Sequence, residues 1–136
     1  MNPVFRRRAL IADDDHTNGE LMRDLLESQG WRVEVAEGGA AALHRLAVDL
    51  FDALVLDLHM PEVDGVDVVR AIHGGEVRGP KRLVVVTADP VYAVREDLLS
   101  LGVHCVLTKP VDITVLLQVL DGDDGAVLDA RLDVLD

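Results

Sequence analysis

The feature that most constrains the fold of this chain is a regular alternation of short aliphatic runs with longer amphipathic stretches. Five runs have the length of strands, and three of them are continuously aliphatic, which is typical of parallel strands covered by helices on both faces. The run that begins at Trp31 alternates apolar and polar residues instead, which indicates an edge strand. The predicted strands are 9–12, 31–35, 53–56, 83–86 and 105–107.

Between the runs, apolar residues recur at spacings of three and four, which predicts helices with one buried stripe. Thr17 or Asn18 is placed to cap the first helix, while Gly30 and Gly102 are placed to end the first and the fourth. Strand and helix in strict alternation predict one α/β domain, a doubly wound parallel sheet with right-handed crossovers. The predicted helical stripes cover 21–26, 43–50, 66–72, 94–101 and 113–120.

Composition excludes several classes of function. The 136 residues carry 25 acidic and 13 basic side chains, a formal charge of -12. Such a field repels phosphate backbones and anionic lipid, so we expect this chain to bind neither nucleic acid nor membranes. Cys105 is the single cysteine, which leaves no intrachain disulfide, and the N-terminus lacks the apolar core of a signal peptide. A cytoplasmic location is predicted.

The last sixteen residues differ from the rest of the chain. Residues 121–136 hold six Asp and one Arg, a net charge of -5, and follow a predicted domain over 8–120. Apolar residues at 127, 128, 132 and 135 have spacings that permit a short amphipathic helix. The segment is therefore either an acidic C-terminal tail or a short extra helix, and the sequence favours neither.

Polar side chains stand where the predicted strands end. Asp13, Asp14 and Asp15 follow the first run, Asp57 ends the third, and Thr87 follows the fourth. Ligands of open parallel sheets bind at the carboxyl ends of the strands, beside the point where strand order reverses. If the first and third strands are neighbours, their carboxylates converge, and they cannot all stay ionised without a cation. Mg²⁺, a hard ion that prefers oxygen ligands, is predicted.

Two further residues at this edge favour phosphoryl chemistry. The fifth run is followed by Lys109, whose ammonium group can contact a phosphoryl group, and Thr87 offers a hydroxyl donor. Catalysis of phosphoryl transfer is mostly positioning and charge neutralisation, and an Asp carboxylate can serve as the covalent acceptor.

These motifs resemble the receiver domain of two-component response regulators. The resemblance rests on the segment 54–65, which reads LVLDLHMPEVDG, with Asp13 and Asp14, Thr87-Ala88 and Lys109-Pro110 in the same order along 8–120. It implies a flavodoxin-like sheet of order 2-1-3-4-5, a (βα)5 fold. It also implies that Asp57 is phosphorylated by a histidine kinase or histidine phosphotransfer protein, and that phosphorylation switches a surface for a downstream protein effector.

The same resemblance implies roles for individual residues. Mg²⁺ is expected on Asp13, Asp14, Asp57 and the backbone carbonyl of His59, with Lys109 and Thr87 binding phosphoryl oxygens. The Lys109-Pro110 peptide bond is expected to be cis. The family also forms homodimers through its fourth and fifth helices, which is possible here.

The sequence departs from the common receiver pattern at the fifth strand. Val106 stands where many receivers carry a Tyr or Phe that swings inward upon activation, so we expect output through loop shifts around the fourth helix and fifth strand. His59 and Asp89, two residues beyond Asp57 and Thr87, match positions that flank the path of attacking water in the family and tune dephosphorylation.

The main alternative is an enzyme. Residues 9–17 also fit the start of a haloacid-dehalogenase-like phosphatase, with Asp13 as nucleophile, Asp15 as general acid, and Thr87 and Lys109 in its later motifs. This interpretation leaves the motif around Asp57 unexplained, and the chain is short for the cap of such an enzyme. A receiver-like binding module that is never phosphorylated is disfavoured, because all five chemical residues are present.

Overall fold

Strands and helices alternate strictly in the computed structural model, which describes residues 6–122. The strands are β1 (Arg8–Ala12), β2 (Arg32–Ala36), β3 (Ala53–Asp57), β4 (Arg82–Thr87) and β5 (Cys105–Thr108). The helices are α1 (His16–Glu27), α2 (Gly39–Val48), α3 (Gly65–His73), α4 (Val91–Ser100) and α5 (Ile113–Leu120). Within residues 6–122, none of these helices has the length and apolar character that a membrane span requires.

The five strands form one parallel sheet in the order β2-β1-β3-β4-β5. The predicted flavodoxin-like order is confirmed, and β2 is an edge strand as its alternating pattern indicated. Strand order reverses between β1 and β3, because the chain first moves outward to β2 and then returns across β1. The crevice at this point lies at the carboxyl ends of β1 and β3, where the sequence places its acidic residues.

The sheet is buried on both faces, which explains the continuous aliphatic runs. Along β1, Leu10 packs with one apolar layer and Ile11 with the other, since successive strand residues point to opposite faces. The first layer contains buried residues of α2, α3 and α4, and the second contains buried residues of α1 and α5. Both faces of each central strand therefore need apolar side chains.

The predicted cap of α1 is wrong, because the helix begins earlier than Thr17 or Asn18 would allow. Its N-cap is Asp15, whose backbone is extended and whose carboxylate accepts the backbone N–H of Asn18 at 3.1 Å. The end of α1 agrees with the prediction: Gly30 has a φ of 93°, and the Trp31 N–H donates to the Leu26 carbonyl. This helix-ending hydrogen bond leaves Trp31 just outside β2.

The predicted C-terminal segment lies mostly outside the described residues, since 123–136 are not described. Asp121 ends α5, and its carboxylate pairs with Arg7 at 2.5 Å. Both interpretations of residues 121–136 therefore stay predictions.

Candidate functional site

The carboxylates that follow β1 and β3 meet at the carboxyl edge of the sheet. Asp13, Asp14 and Asp57 each offer an oxygen atom, and these atoms lie within 4.8 Å of one another. Their convergence follows from the pairing of β1 with β3, which places the ends of the two strands side by side. Such a set of oxygen donors fits a divalent cation of the Mg²⁺ type.

Asp57 is the most buried member of this cluster, with 7% of its surface exposed. It is the last residue of β3, and its two carboxylate oxygens have different partners. Oδ2 accepts a hydrogen bond from the ammonium group of Lys109 at 3.1 Å, and Oδ1 accepts one from the backbone N–H of His59 at 3.3 Å. The carboxylate is thus oriented from both sides while it faces the other two acids.

Asp13 is half-buried beside it. Burial raises the pKa of the Asp13 carboxyl above its ordinary value, and the negative charge of Asp57 raises it further, against a hydrogen bond from the Asp15 N–H at 2.9 Å. Ionisation of Asp13 is therefore less favourable in this position than in water. A cation between the carboxylates removes that penalty, because it replaces mutual repulsion with attraction.

Lys109 reaches the cluster from the end of β5. Its backbone N–H donates to the Thr87 carbonyl at 2.8 Å, which continues the β4–β5 pairing and directs the ammonium group towards Asp57. The peptide bond between Lys109 and Pro110 is cis, as expected.

Thr87 is fully buried at the end of β4, next to the strand that carries Asp57. Its hydroxyl oxygen accepts the backbone N–H of Asp89 at 3.0 Å. A buried hydroxyl can accept and donate at once, so this contact leaves its own proton available for another acceptor.

His59 and Asp89 form a contact that the sequence did not predict. His59 Nε2 lies 2.5 Å from Asp89 Oδ2, and joins the loop after β3 to the loop after β4. The sequence identified both residues separately, as neighbours of the site. One signal in the sequence could have paired them. His59 lies two residues beyond the end of β3, Asp89 lies two residues beyond the end of β4, and these strands are neighbours.

An apolar cavity of about 470 Å³ lies beside Asp57, between α1 and the loop that follows β5. Leu21 and Leu25, predicted to belong to the buried stripe of α1, line this cavity and are 58% and 37% exposed. The prediction was wrong for these two because α1 directs Leu26 into the core. Periodicity locates an apolar stripe without showing whether a neighbouring element covers all of it.

Val106 is buried in the apolar layer formed with α2, α3 and α4. It stands opposite Val85 in the β4–β5 register. The side chain at this position is a small aliphatic group, without the ring that an aromatic switch requires.

An acidic cluster, a lysine and a buried threonine at the switch point of a doubly wound sheet define an α/β domain suited to phosphoryl chemistry. A family model, described as the response regulator receiver domain, matches residues 9–121. The chain therefore belongs to the receiver domain family of two-component systems. Asp15, the general acid in the phosphatase alternative, uses Oδ1 to cap α1.

Curated relatives include both response regulators and sensor proteins. The chain is 38% identical over 110 residues to the response regulator MprA of Mycobacterium tuberculosis. The aligned residues are 81% of this chain and 47% of that protein. It is 31% identical over 128 residues to the sensory/regulatory protein RpfC of Xanthomonas campestris, with 88% of this chain and 18% of that protein covered. The chain thus spans less than a fifth to about half of the length of these relatives.

A solved structure supports the same fold. The receiver domain of the sensor histidine kinase PA1611 from Pseudomonas aeruginosa is 26% identical in sequence and superposes with a TM-score of 0.76. The superposition covers 88% of this chain and 98% of the PA1611 chain. That receiver was crystallised with a magnesium ion coordinated in the active site cleft.

Proposed function

We propose that this receiver domain accepts a phosphoryl group on Asp57 from the phosphohistidine of a histidine kinase or histidine phosphotransfer protein. The observation that carries the proposal is the placement of Asp57: a buried carboxylate at the end of β3, held by Lys109 and facing two further acids. A carboxylate in this position can be the covalent acceptor of a phosphoryl group.

The transfer exchanges one bond for another. A carboxylate oxygen of Asp57 forms a bond to phosphorus while the phosphorus–nitrogen bond of the donor breaks, and the electron pair of that bond returns to the imidazole. Lys109 is placed to neutralise charge on the phosphoryl oxygens, and the Thr87 hydroxyl to donate to one of them. In hydrolysis, a water oxygen bonds to phosphorus, the bond between phosphorus and the Asp57 oxygen breaks, and inorganic phosphate leaves the free carboxylate. The domain thus catalyses only its own phosphorylation and dephosphorylation.

Asp13, Asp14, Asp57 and the backbone carbonyl of His59 would hold Mg²⁺. The ion supplies charge neutralisation between the acidic cluster and the incoming phosphoryl group. The raised pKa of Asp13 and the close approach of the three carboxylates support this assignment.

The direct test is incubation of the chain with acetyl phosphate and Mg²⁺, followed by intact mass spectrometry and peptide mapping. We expect a gain of one phosphoryl group, located on Asp57. Turnover of a phosphate ester that depends on Asp13, without a stable mass gain, would favour the phosphatase instead.

Replacing Asp13 by Asn is expected to weaken Mg²⁺ binding while leaving the metal-free fold as stable or more stable. Because the pKa of Asp13 is raised, the folded chain binds its proton more tightly than the unfolded chain does, and ionisation of this group costs stability as the pH rises above the unfolded value. Without metal, the stability advantage of Asp13→Asn over the parent should therefore grow as the pH rises through the range in which Asp13 ionises. Thermal unfolding at several pH values, with and without Mg²⁺, measures both effects.

Asp15→Asn is the matched control, because it removes the same charge from a neighbouring residue and keeps an equally good helix cap. A ligand present at about one hundred times its Kd stabilises a fold by about 2.7 kcal/mol. We expect the parent and Asp15→Asn to show this type of Mg²⁺ stabilisation. Its full retention in Asp13→Asn would contradict the metal assignment.

His59→Ala is expected to change the lifetime of the phosphoryl group more than the stability of the fold. The His59 side chain is 64% exposed at the mouth of the site, so its pair with Asp89 contributes at most about 1 kcal/mol to folding. Removal of the imidazole, rather than loss of the pair, opens a path for water to Asp57, and a barrier lowered by about 1 kcal/mol shortens the lifetime about fivefold. Decay of the phosphorylated mass with time measures the lifetime, and equal lifetimes would show that His59 does not control water.

The apolar cavity beside Asp57 supports the proposal that the donor protein binds on this side of the domain. Leu21 and Leu25 on α1 line the same cavity as Asp57, so a donor protein could cover them while its phosphohistidine approaches Asp57.

The proposal includes three further parts. These are a downstream protein effector, a homodimer through α4 and α5, and a cytoplasmic location. The proposal also includes the expectation that the chain itself binds neither nucleic acid nor membranes.

A further inference from the structure

The pair formed by His59 and Asp89 connects the two loops that border the phosphoacceptor. His59 lies two residues beyond Asp57, and its Nε2 lies 2.5 Å from Asp89 Oδ2. An ionised carboxylate can only accept, so this contact requires the imidazole tautomer or cation that carries a proton on Nε2. Asp89 lies two residues beyond Thr87 and one residue before Pro90, the N-cap of α4. A contact between these side chains therefore ties the phosphoacceptor loop to the start of α4.

The same residue also holds the Thr87 hydroxyl. The backbone N–H of Asp89 donates to Thr87 Oγ1 at 3.0 Å, so the position of Asp89 sets the direction of that hydroxyl. Ala88 and Pro90, on either side of Asp89, are exposed, and apolar burial consequently does little to fix this loop. The side-chain contact to His59 is thus an important restraint on the loop, and indirectly on Thr87.

A phosphoryl group on Asp57 would compete for both contacts. The backbone N–H of His59 lies 3.3 Å from Asp57 Oδ1, so the residue that carries the imidazole adjoins the carboxylate that would carry the phosphoryl group. Phosphoryl oxygens are strong hydrogen-bond acceptors that attract both the imidazole N–H and the Thr87 hydroxyl, while their negative charge repels the Asp89 carboxylate.

We propose that the His59–Asp89 pair is a clasp that holds the β4–α4 loop in its unphosphorylated position, and that phosphorylation of Asp57 opens it. The opening rests on the function proposed above. In this chain Val106 stands in β5 where many receivers carry an aromatic side chain. The clasp restrains the loop before α4 independently of β5, and it is closed before phosphorylation and open after it. His59 acts here as a positioning residue, through Asp89 and Thr87.

Hydrogen exchange of the Asp89 backbone amide, measured by NMR, tests the clasp without any phosphoryl group. In unphosphorylated His59→Ala, we expect this amide to exchange about two- to fivefold faster than in the parent, the range that an exposed pair supports. His59→Gln retains a side-chain N–H donor and should restore part of the protection. His16→Ala is the matched control, because it breaks a similar exposed pair, at 3.1 Å, between the first residue of α1 and Glu37 in the loop after β2. It should leave Asp89 unchanged.

The second arm adds acetyl phosphate and Mg²⁺, with intact mass recorded on the same sample. In the phosphorylated parent, exchange at Asp89 should rise, and in phosphorylated His59→Ala it should change little further. Equal exchange in unphosphorylated parent and His59→Ala would overturn the holding role. An unchanged Asp89 amide in a parent of confirmed phosphorylation would overturn the opening. If no mass gain occurs, the proposed function and the opening fail together, while the first arm still decides the holding role.

Discussion

Asp57→Asn is expected to abolish phosphorylation by acetyl phosphate, reducing the mass gain from one phosphoryl group to none. The amide oxygen of Asn is a much poorer nucleophile than a carboxylate oxygen because it carries no full negative charge, and the electron pair of the amide nitrogen is delocalised into the carbonyl. The substitution is nearly isosteric, and the Asn oxygen can still accept the His59 N–H that Asp57 Oδ1 accepts. It also removes one of three neighbouring carboxylates, so the fold should persist.

Asp14→Asn provides the matched control. Asp14 belongs to the same cluster and is exposed, so its replacement removes a similar charge without removing the proposed acceptor. We expect Asp14→Asn to gain a phosphoryl group more slowly than the parent, since one Mg²⁺ ligand is lost. A full mass gain in folded Asp57→Asn, with the phosphoryl group mapped to Asp13, would transfer the acceptor role to the first strand.

Gly65→Ala is expected to lower the free energy of unfolding by about 3 kcal/mol, with a fall in Tm of roughly 10 °C. A Cβ atom at this position would lie 2.5 Å from the Asp57 carbonyl oxygen and 2.8 Å from the Leu58 Cα. Both are backbone atoms, and the Gly65 N–H donates to the Leu58 carbonyl at 2.9 Å, so α3 cannot move away without losing that bond. Thermal and denaturant unfolding measure the effect.

The same collision should slow phosphorylation, because the atoms that must move belong to Asp57 and its neighbour. Gly74→Ala, at the other end of α3, is the control: Gly74 has an ordinary φ of -78°, and its nearest neighbour for a Cβ is the Arg70 carbonyl oxygen at 3.2 Å. We expect a change below about 1 kcal/mol there. Equal stability of the two variants would show that α3 can shift away from β3 at little cost.

Much of the fold could be predicted from the sequence because each central strand is buried on both faces. That burial requires runs such as 53–56 and 83–86 to be continuously aliphatic, and the helices between them need one apolar stripe. Element ends were less certain. The N-cap of α1 is Asp15 rather than Thr17 or Asn18. Several neighbouring residues are of a type that can cap a helix, and only the path of the backbone selects one.

The candidate site shows the same division between what is local and what is not. The identities of Asp13, Asp57, Thr87 and Lys109 and their places at strand ends were readable in the chain, as was the order in which they occur. Their chemistry is intrinsic to the side chains. The pairing of β1 with β3 then brings the carboxylates within 4.8 Å, which is a property of the sheet.

The sequence by itself determined the alternation of strands and helices, the motifs at the strand ends and the replacement of an aromatic residue by Val106. Only the tertiary structure decided that His59 meets Asp89, that Leu21 and Leu25 stay exposed beside Asp57, and that Gly65 lies against the backbone of β3. The physical reason is range. Periodicity and side-chain chemistry act over a few residues, whereas these features depend on how the folded backbone places separate elements and loops beside one another.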